Sequence, residues 1–476
     1  MTGPSVYTKI FGCQMNYSDA ERIWTTLKKN NLTEAASADE ADVVIYVTCG
    51  VRQSAEDRVY GQINNLRKKY PEKKIILTGC LAHRKDVQRR LKGKVDLFLP
   101  IKDIYKISNL RLIKNLKFPL KARLAGGGKN KNYQACNHDY LRITPRYSNL
   151  NTAYVPIMTG CNNFCAYCVV PYARGREYSR PAEEILTEIK NLVKKGYKEI
   201  ILLGQNVNSY KGFYKNKAIN FPRLLRLIED IPAKRSEAPH QTAEGSFGAR
   251  GNFWLTFLTS HPKDMSGELI ETIAKSLSAS GGQKICEYIS LPAQSGDDTV
   301  LKKMNRHYTV AHYKNLIRKI QSAYKKYQPQ IAPAISTDII VGFPGETKKQ
   351  FENTAKLLRE MKFDMAYISQ YSPRPETAAW KLKDNVSKRE KVRRDKVLTE
   401  ILKKTALKNN KKYVGKVIEV LVNKESLPAE ALAKAGHTRT QKKVIFHSKK
   451  KNLIGKFVRV KIIKAKAFGL EGLIAK

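Results

Sequence analysis

No stretch of the 476 residues approaches the roughly 18 consecutive apolar positions that a helical membrane span needs, so no membrane partner is expected. A signal-peptide pattern is missing too, because the N-terminus runs directly into the strand-like Val6-Tyr7-Thr8-Lys9-Ile10. A cytoplasmic location is the expectation. Cysteine is sparse: eight are scattered along the chain, which in a reducing compartment argues against a disulfide framework and for metal binding or buried thiols. Acidic residues are few beside basic ones, 42 against 88, for a net charge of +46. Such a field attracts polyanions and disfavours self-association, so the expected partner is nucleic acid and the expected state a monomer. A generally lysine-rich surface is the bland alternative. With 42% hydrophobic residues the chain can fill the cores of two or three domains.

Three of the cysteines stand together in Gly160-Cys161-Asn162-Asn163-Phe164-Cys165-Ala166-Tyr167-Cys168, at a C-x-x-x-C-x-x-C spacing. Structural zinc sites usually pair cysteines two by two, whereas a cubane iron–sulfur cluster normally takes four thiolates. Three thiolates leave one iron open to a substrate or cofactor. A zinc site or a group of buried thiols is the alternative. The stretch, with Tyr167 before its last cysteine, resembles the signature of radical S-adenosylmethionine enzymes. That resemblance implies that the open iron chelates the amino and carboxyl groups of S-adenosylmethionine. One electron from the cluster then cleaves the sulfonium to a 5′-deoxyadenosyl radical.

From Met1 to about Pro100 apolar strands (Val6 to Phe11, Asp42 to Val47, Lys74 to Leu77, Val95 to Leu99) alternate with helices from Ser18, Gln53 and Arg84. This predicts a parallel α/β sheet, whose strands all end on one edge. Cys13, Cys49 and Cys80 follow the first three strands, each beside a glycine that would let the backbone approach a bulky ligand. Three cysteines are thereby delivered to one edge. Buried strand-end thiols are the alternative. Cys136 and Cys286 receive no role.

Phe11-Gly12-Cys13-Gln14-Met15-Asn16, the run from Val51 to Glu56, and Gly160 through Val169-Val170-Pro171-Tyr172-Ala173-Arg174-Gly175 to Arg180-Pro181 together resemble the radical S-adenosylmethionine methylthiotransferases. Nearly the whole chain is covered. GCQMN and CVVPYxRG look like the branch that modifies N6-isopentenyladenosine at position 37, next to the tRNA anticodon. Gly50 departs from its usual serine.

The fold class expected is α/β in three parts. An N-terminal parallel-sheet domain (1–120) would be followed by a linker (121–150), with its glycine triplet at 126–128. A central partial (βα)6 barrel (151–385) has strand candidates at Tyr154 to Met158, Glu199 to Leu203, Phe253 to Leu258, Glu287 to Leu291, Pro333 to Val341 and Asp364 to Ser369. The resemblance implies that Tyr167, Gly204, Gln205, Asn206, Gln294 and Ser295 lie near the cluster and the methionine part of S-adenosylmethionine, and Asp338 and Phe343 near its ribose and adenine. Ser290 stands where relatives often have histidine. The polar segment 233–252 has no period and predicts a flexible insertion.

A basic helical segment (386–412) leads to period-two strands at Gly415 to Val422, Thr438 to Phe446 and Gly455 to Ile463, predicting a small antiparallel barrel (413–476). It resembles a TRAM domain, an RNA-binding barrel. From Lys381 onward stand 28 basic and 8 acidic residues, a net +20, which predicts a docking surface with Arg439, Arg459 and Lys461 as RNA contacts. Glu376 replaces a usual glycine, and His437 and Gln441 the usual Arg and Asn of GRTxxN.

The resemblance implies two 4Fe-4S clusters, one held by Cys13, Cys49 and Cys80 and one by Cys161, Cys165 and Cys168. It also implies S-adenosylmethionine in two roles and a separate electron donor. The former cluster would carry the sulfur to be methylated; the latter would yield the radical. The adenine must leave its stack, which costs least in a single-stranded loop such as the anticodon loop. Alternatives are the same chemistry on threonylcarbamoyladenosine or on a ribosomal-protein aspartate, and a non-catalytic RNA-binding iron–sulfur protein.

Overall fold

The computed structural model describes residues 4–51, 53–109, 139–232, 253–276, 283–425, 433–450 and 452–475. Most of the expected linker, with Cys136, and the whole 233–252 insertion lie outside the described residues.

Strands β1 (Ser5–Phe11), β2 (Thr33–Glu34), β3 (Val43–Thr48), β4 (Lys74–Gly79) and β5 (Leu97–Leu99) form a parallel sheet in the order β2-β1-β3-β4-β5. β3, VVIYVT, is buried at every position, as suits a strand covered on both faces. Helix Gln14–Lys28 and the turn segment Ile101–Asn109 pack one face; helices Gln53–Lys69 and Lys85–Arg90 pack the other. The first helix starts earlier than Ser18. Cys13 occupies its N-cap and makes no side-chain cap bond, so no capping residue marks the start in the sequence. Residues just after 138 are not the expected linker: Tyr140 and Leu141 are buried in the N-terminal core, and the Tyr140 hydroxyl lies 3.1 Å from Thr159 Oγ1.

In the central part β6 (Thr152–Pro156) is followed by the short ladder β7 (Met158–Thr159) with β8 (Tyr178–Ser179), then β9 (Glu199–Leu203), the hairpin β10 (Lys211–Tyr214) with β11 (Lys217–Asn220), and β12 (Trp254–Phe257). β6, β9 and β12 pair in parallel, as do β13 (Tyr288–Ser290), β14 (Ala334–Val341) and β15 (Met365–Gln370). A parallel bridge between Leu255 and Ile285 joins the two sheets into a six-stranded open barrel. Helices such as Ala182–Lys194 and Val310–Tyr327 bury their apolar faces on its outside.

The last unit is a closed barrel in the order β16-β17-β18-β20-β19: β16 (Val417–Glu425), β17 (Ala433–His437), β18 (Lys443–His447), β19 (Phe457–Lys466) and β20 (Gly469–Ile474). Four pairings are antiparallel as expected, and β18 with β20 closes the barrel in parallel. The expected strand from Thr438 begins instead as a turn, closed by Thr438 N donating to Lys442 O and with Gln441 at φ 58°.

This barrel plugs the base of the central one. His437 and Gln441 reach Glu199, the first residue of β9, Lys442 reaches Asp364 just before β15, and Trp254 at the start of β12 stacks on Phe457 at 4.9 Å. Helix Lys388–Lys411 runs the height of the central barrel: Arg394 pairs with Glu346 beyond β14, and Asn410 donates to Lys466 O at the far end. Among the described residues no helix is long and apolar enough to cross a membrane.

Candidate metal centres

Phe11, Thr48 and Gly79 stand in register at the C-terminal edge of β1, β3 and β4, and the residues just beyond them include Cys13, Cys49 and Cys80. Strand order reverses between β1 and β3, the kind of switch point where open α/β sheets bind ligands, and Cys13 and Cys49 flank it. Two of the neighbouring glycines are required by the packing of the strand ends. A Cβ on Gly12 would stand 2.4 Å from Cys49 Cβ, and one on Gly79 2.2 Å from Thr48 O, so only glycine lets these ends close up. A hydrogen bond with Cys49 draws the Cys13 thiol down to about 6, while the same contact, then burial, pushes Cys49 up. Burial raises Cys80, against the pull of Arg174. Arg174 is itself buried, 2.6 Å from Asp19 Oδ2.

The second triplet sits on the loop beyond β7. Cys168 N donates to Cys165 O at 2.9 Å and Cys161 N to Gly175 O at 3.1 Å. Asn305 Nδ2 holds the carbonyls of Asn163 and Phe164 at 3.2 and 3.0 Å, fixing Phe164 at φ 47°. Burial raises Cys161 and Cys168, and Cys168 also feels the charge of Cys80. Gly50 explains that proximity: its Cβ position lies 3.2 Å from Val169 Cγ2 and 3.4 Å from Cys80 Cβ. The two triplets therefore stand side by side. Among the described residues no three His, Cys, Asp or Glu side chains converge on one ion. Two sets of soft thiolate donors, without a carboxylate or imidazole among them, suit iron–sulfur clusters, in which each cysteine takes a different iron.

Around the barrel mouth several amide oxygens are buried without partners: Gln205 Oε1, Asn206 Oδ1, Asn208 Oδ1 and Gln294 Oε1. Orphaned buried acceptors are rare and call for a ligand or water. Gly204 O accepts from Thr259 at 2.7 Å, Asn206 Nδ2 donates to Asp264 at 2.7 Å, and Gln294 N donates to Asp338 O at 2.8 Å. Tyr167 is half-buried against the group of Ala166, Val300 and Phe343, and Asp338 is half-buried beside Tyr367. Ser295 is turned aside, its Oγ 3.4 Å from Thr354 Oγ1. Phe343, two residues beyond β14, buries its ring fully against Ala166 and Tyr371.

Three family models match: the Radical SAM superfamily over residues 155–358, the uncharacterized protein family UPF0004 over 5–99, and the TRAM domain over 411–474. A tRNA-2-methylthio-N(6)-dimethylallyladenosine synthase of Clostridium botulinum (strain Langeland) is 41% identical over 98% of this chain and 96% of its own. The chain belongs to the radical S-adenosylmethionine methylthiotransferases. A synthase of the same name from Carboxydothermus hydrogenoformans is 37% identical over 100% of both chains. Among solved structures, a radical S-adenosylmethionine methyltransferase from Kitasatospora setae gives a TM-score of 0.49 at 12% identity, covering 79% of this chain and 74% of that one.

Within this methylthiotransferase the C-terminal contacts need one further correction. Arg439, expected at RNA, is buried: Nε donates to both Glu287 oxygens, Nη1 to Gln283 O and Nη2 to Ile285 O. All its donor nitrogens are spent inside the protein. Arg459 and Lys461 are exposed on one face of β19, and a bulge between Ile462 and Lys464 brings Lys464 and Lys466 to that face as well. Two features escaped sequence reasoning. Arg374 pairs with Glu56 and donates to Gln53 Oε1 at 2.9 Å, tying the segment after β15 to the helix beside Cys49. Arg306 lies 3.4 Å from Cys165 Sγ, and its only signal is its place in Met304-Asn305-Arg306-His307-Tyr308.

Proposed function

We propose that the chain is a tRNA methylthiotransferase that replaces the C2–H of N6-isopentenyladenosine, at position 37 beside the anticodon, by a methylthio group. The observation that carries this reading is the adjacency of the two cysteine triplets across Gly50 and Val169. A transfer that needs hydrogen abstraction and sulfur delivery at one carbon requires both sites within reach of one base. When bound, the two clusters supply the electron that cleaves S-adenosylmethionine and the anchor for the sulfur to be methylated.

The chain's own groups supply binding and orientation. Cys161, Cys165 and Cys168 would hold one cluster, and Cys13, Cys49 and Cys80 the other. The unpaired oxygens of Gln205, Asn206 and Gln294 would accept from the ammonium and hydroxyl groups of S-adenosylmethionine, with Gly204, Tyr167 and Asp338 completing the wall and Ser295 behind it. Arg459 and Lys461 would meet phosphates. The base must leave its stack to reach the barrel mouth, at a cost of a few kcal/mol that an anticodon loop minimises. A monomer in the cytoplasm, reduced by a separate one-electron donor, accords with the charge of +46 and a tRNA substrate.

Mass spectrometry of tRNA nucleosides from cells with and without the gene tests the reading. The methylthio derivative of isopentenyladenosine should vanish and its unthiolated precursor accumulate. Loss of the threonylcarbamoyl derivative instead would move the substrate.

A further inference from the structure

Eight arginines are buried among the described residues, and seven of them have a carboxylate: Arg22 and Arg180 with Glu188, Arg84 and Arg374 with Glu56, Arg174 with Asp19, Arg394 with Glu346, and Arg439 with Glu287. Arg306 is the exception. It is 4% exposed, and the ionisable groups that act on it most strongly are Tyr167, Tyr308 and Cys165. Its Nε lies 3.0 Å from Tyr308 Oη, Nη2 donates to Pro292 O at 3.0 Å, and Nη1 points at Cys165 Sγ from 3.4 Å. His261, which stacks edge-on against Tyr308, is held neutral by burial and by the nearby cation, its pKa drawn down to about 2. A guanidinium taken out of water without an anion costs several kcal/mol. Something negative must face it.

We infer that Arg306 is the counter-ion of the cluster bound by Cys161, Cys165 and Cys168, and that it raises the reduction potential of that cluster through the Cys165 sulfur. The inference rests on the proposal that this triplet holds a cluster. An oxidised 4Fe-4S core with three thiolates carries one net negative charge, and the one-electron donor makes it two. The fixed cation therefore favours the reduced form, since net charge and hydrogen bonds to the sulfurs set such potentials. Arg306 is a positioning residue. It also pins the strand-end loop at Pro292, and through Tyr308 it reaches Ala293, whose carbonyl accepts the Tyr308 hydroxyl at 2.8 Å.

The test uses full-length protein, reconstituted anaerobically in a Cys13→Ala, Cys49→Ala, Cys80→Ala background so that one cluster is read. Iron content and an electron paramagnetic resonance redox titration are compared for Arg306, Arg306→Gln and Arg306→Lys. Arg306→Gln should keep its iron and be about tenfold harder to reduce at a fixed poise, a fall of about 59 mV for one electron. Arg306→Lys should restore part of that. Iron retained at an unchanged potential overturns the inference, and so does a weaker Kd for S-adenosylmethionine with no shift in potential. If the glutamine variant cannot hold iron, the lysine variant decides: recovery of iron supports a charge requirement, and failure to recover it overturns one. Absence of iron even with Arg306 in place would instead refute the cluster assignment.

Discussion

Arg439 and Glu287 lie 152 residues apart and are joined in a buried ion pair, with Nε 3.0 Å from one carboxylate oxygen and 3.1 Å from the other. The pair fastens the C-terminal barrel to the base of the central one, and His437, Gln441 and Lys442 add contacts from the same turn. The word expected to touch RNA is a latch between domains.

Arg439→Ala should accordingly act on stability. Removing one member leaves Glu287 buried and unpaired, which costs about 3–5 kcal/mol. Urea unfolding followed by the fluorescence of Trp254, which stacks on Phe457 in this interface, reads the loss. An unchanged midpoint would contradict the latch.

Glu376 holds φ at 73°, in the left-handed region, which explains why glycine is usual there. Glu376→Gly gives up only a 4.0 Å contact with His83 Nε2 and is expected to stabilise the protein by about 1 kcal/mol, because a side chain in that region costs roughly 1–3 kcal/mol. Gln441 at φ 58° differs: its Nε2 reaches Glu199 at 3.2 Å, so Gln441→Asn gains backbone comfort and loses a contact. Thermal unfolding of the two variants should rank them in that order.

Replacing Arg459 and Lys461 together by Ala should weaken tRNA binding and lower the dependence of log Kd on log salt by roughly 0.7 to 0.9 per lost phosphate contact. Adding Lys464→Ala should lower it further, since the bulge places that residue on the same face. Iron content should not move. A salt series with unchanged slope would shift the docking surface to the basic helix Lys388–Lys411.

In iron-free protein Cys13 should be the reactive thiol. Its pKa is drawn down to about 6 by the Cys49 hydrogen bond, whereas Cys80 is raised by burial. The thiolate is the nucleophile, so alkylation by iodoacetamide should rise as pH passes about 6 and level off near pH 8, below the midpoint of about 8.5 for a free cysteine. Peptide mapping identifies the labelled site. Preferential labelling of Cys80 would refute the assignment.

The sheet, the open barrel and both cysteine triplets were legible because strand periods, glycine punctuation and cysteine spacing are local signals. Gly12 was legible as a close approach, and in the fold Cys49 is what comes close to it. Arg439 was misread because an arginine in a turn looks the same whether a phosphate or a distant glutamate faces it. Arg306 was missed for the same reason, its importance residing in the carboxylate that is not beside it. The bulge between Ile462 and Lys464 reverses side-chain parity within a continuous strand, and no residue type announces it.

Because the C-terminal barrel seats on the base of the central barrel while the cysteines crown its opposite end, the two ends are spanned by the helix between Arg394, paired with Glu346 beyond β14, and Asn410, bonded to Lys466 O. At 1.5 Å per residue that stretch rises about 24 Å. Any single ligand that touches both ends is measured by this calliper. A free nucleoside is too short to close it, while a folded stem with its loop can, so size itself becomes a criterion of substrate choice.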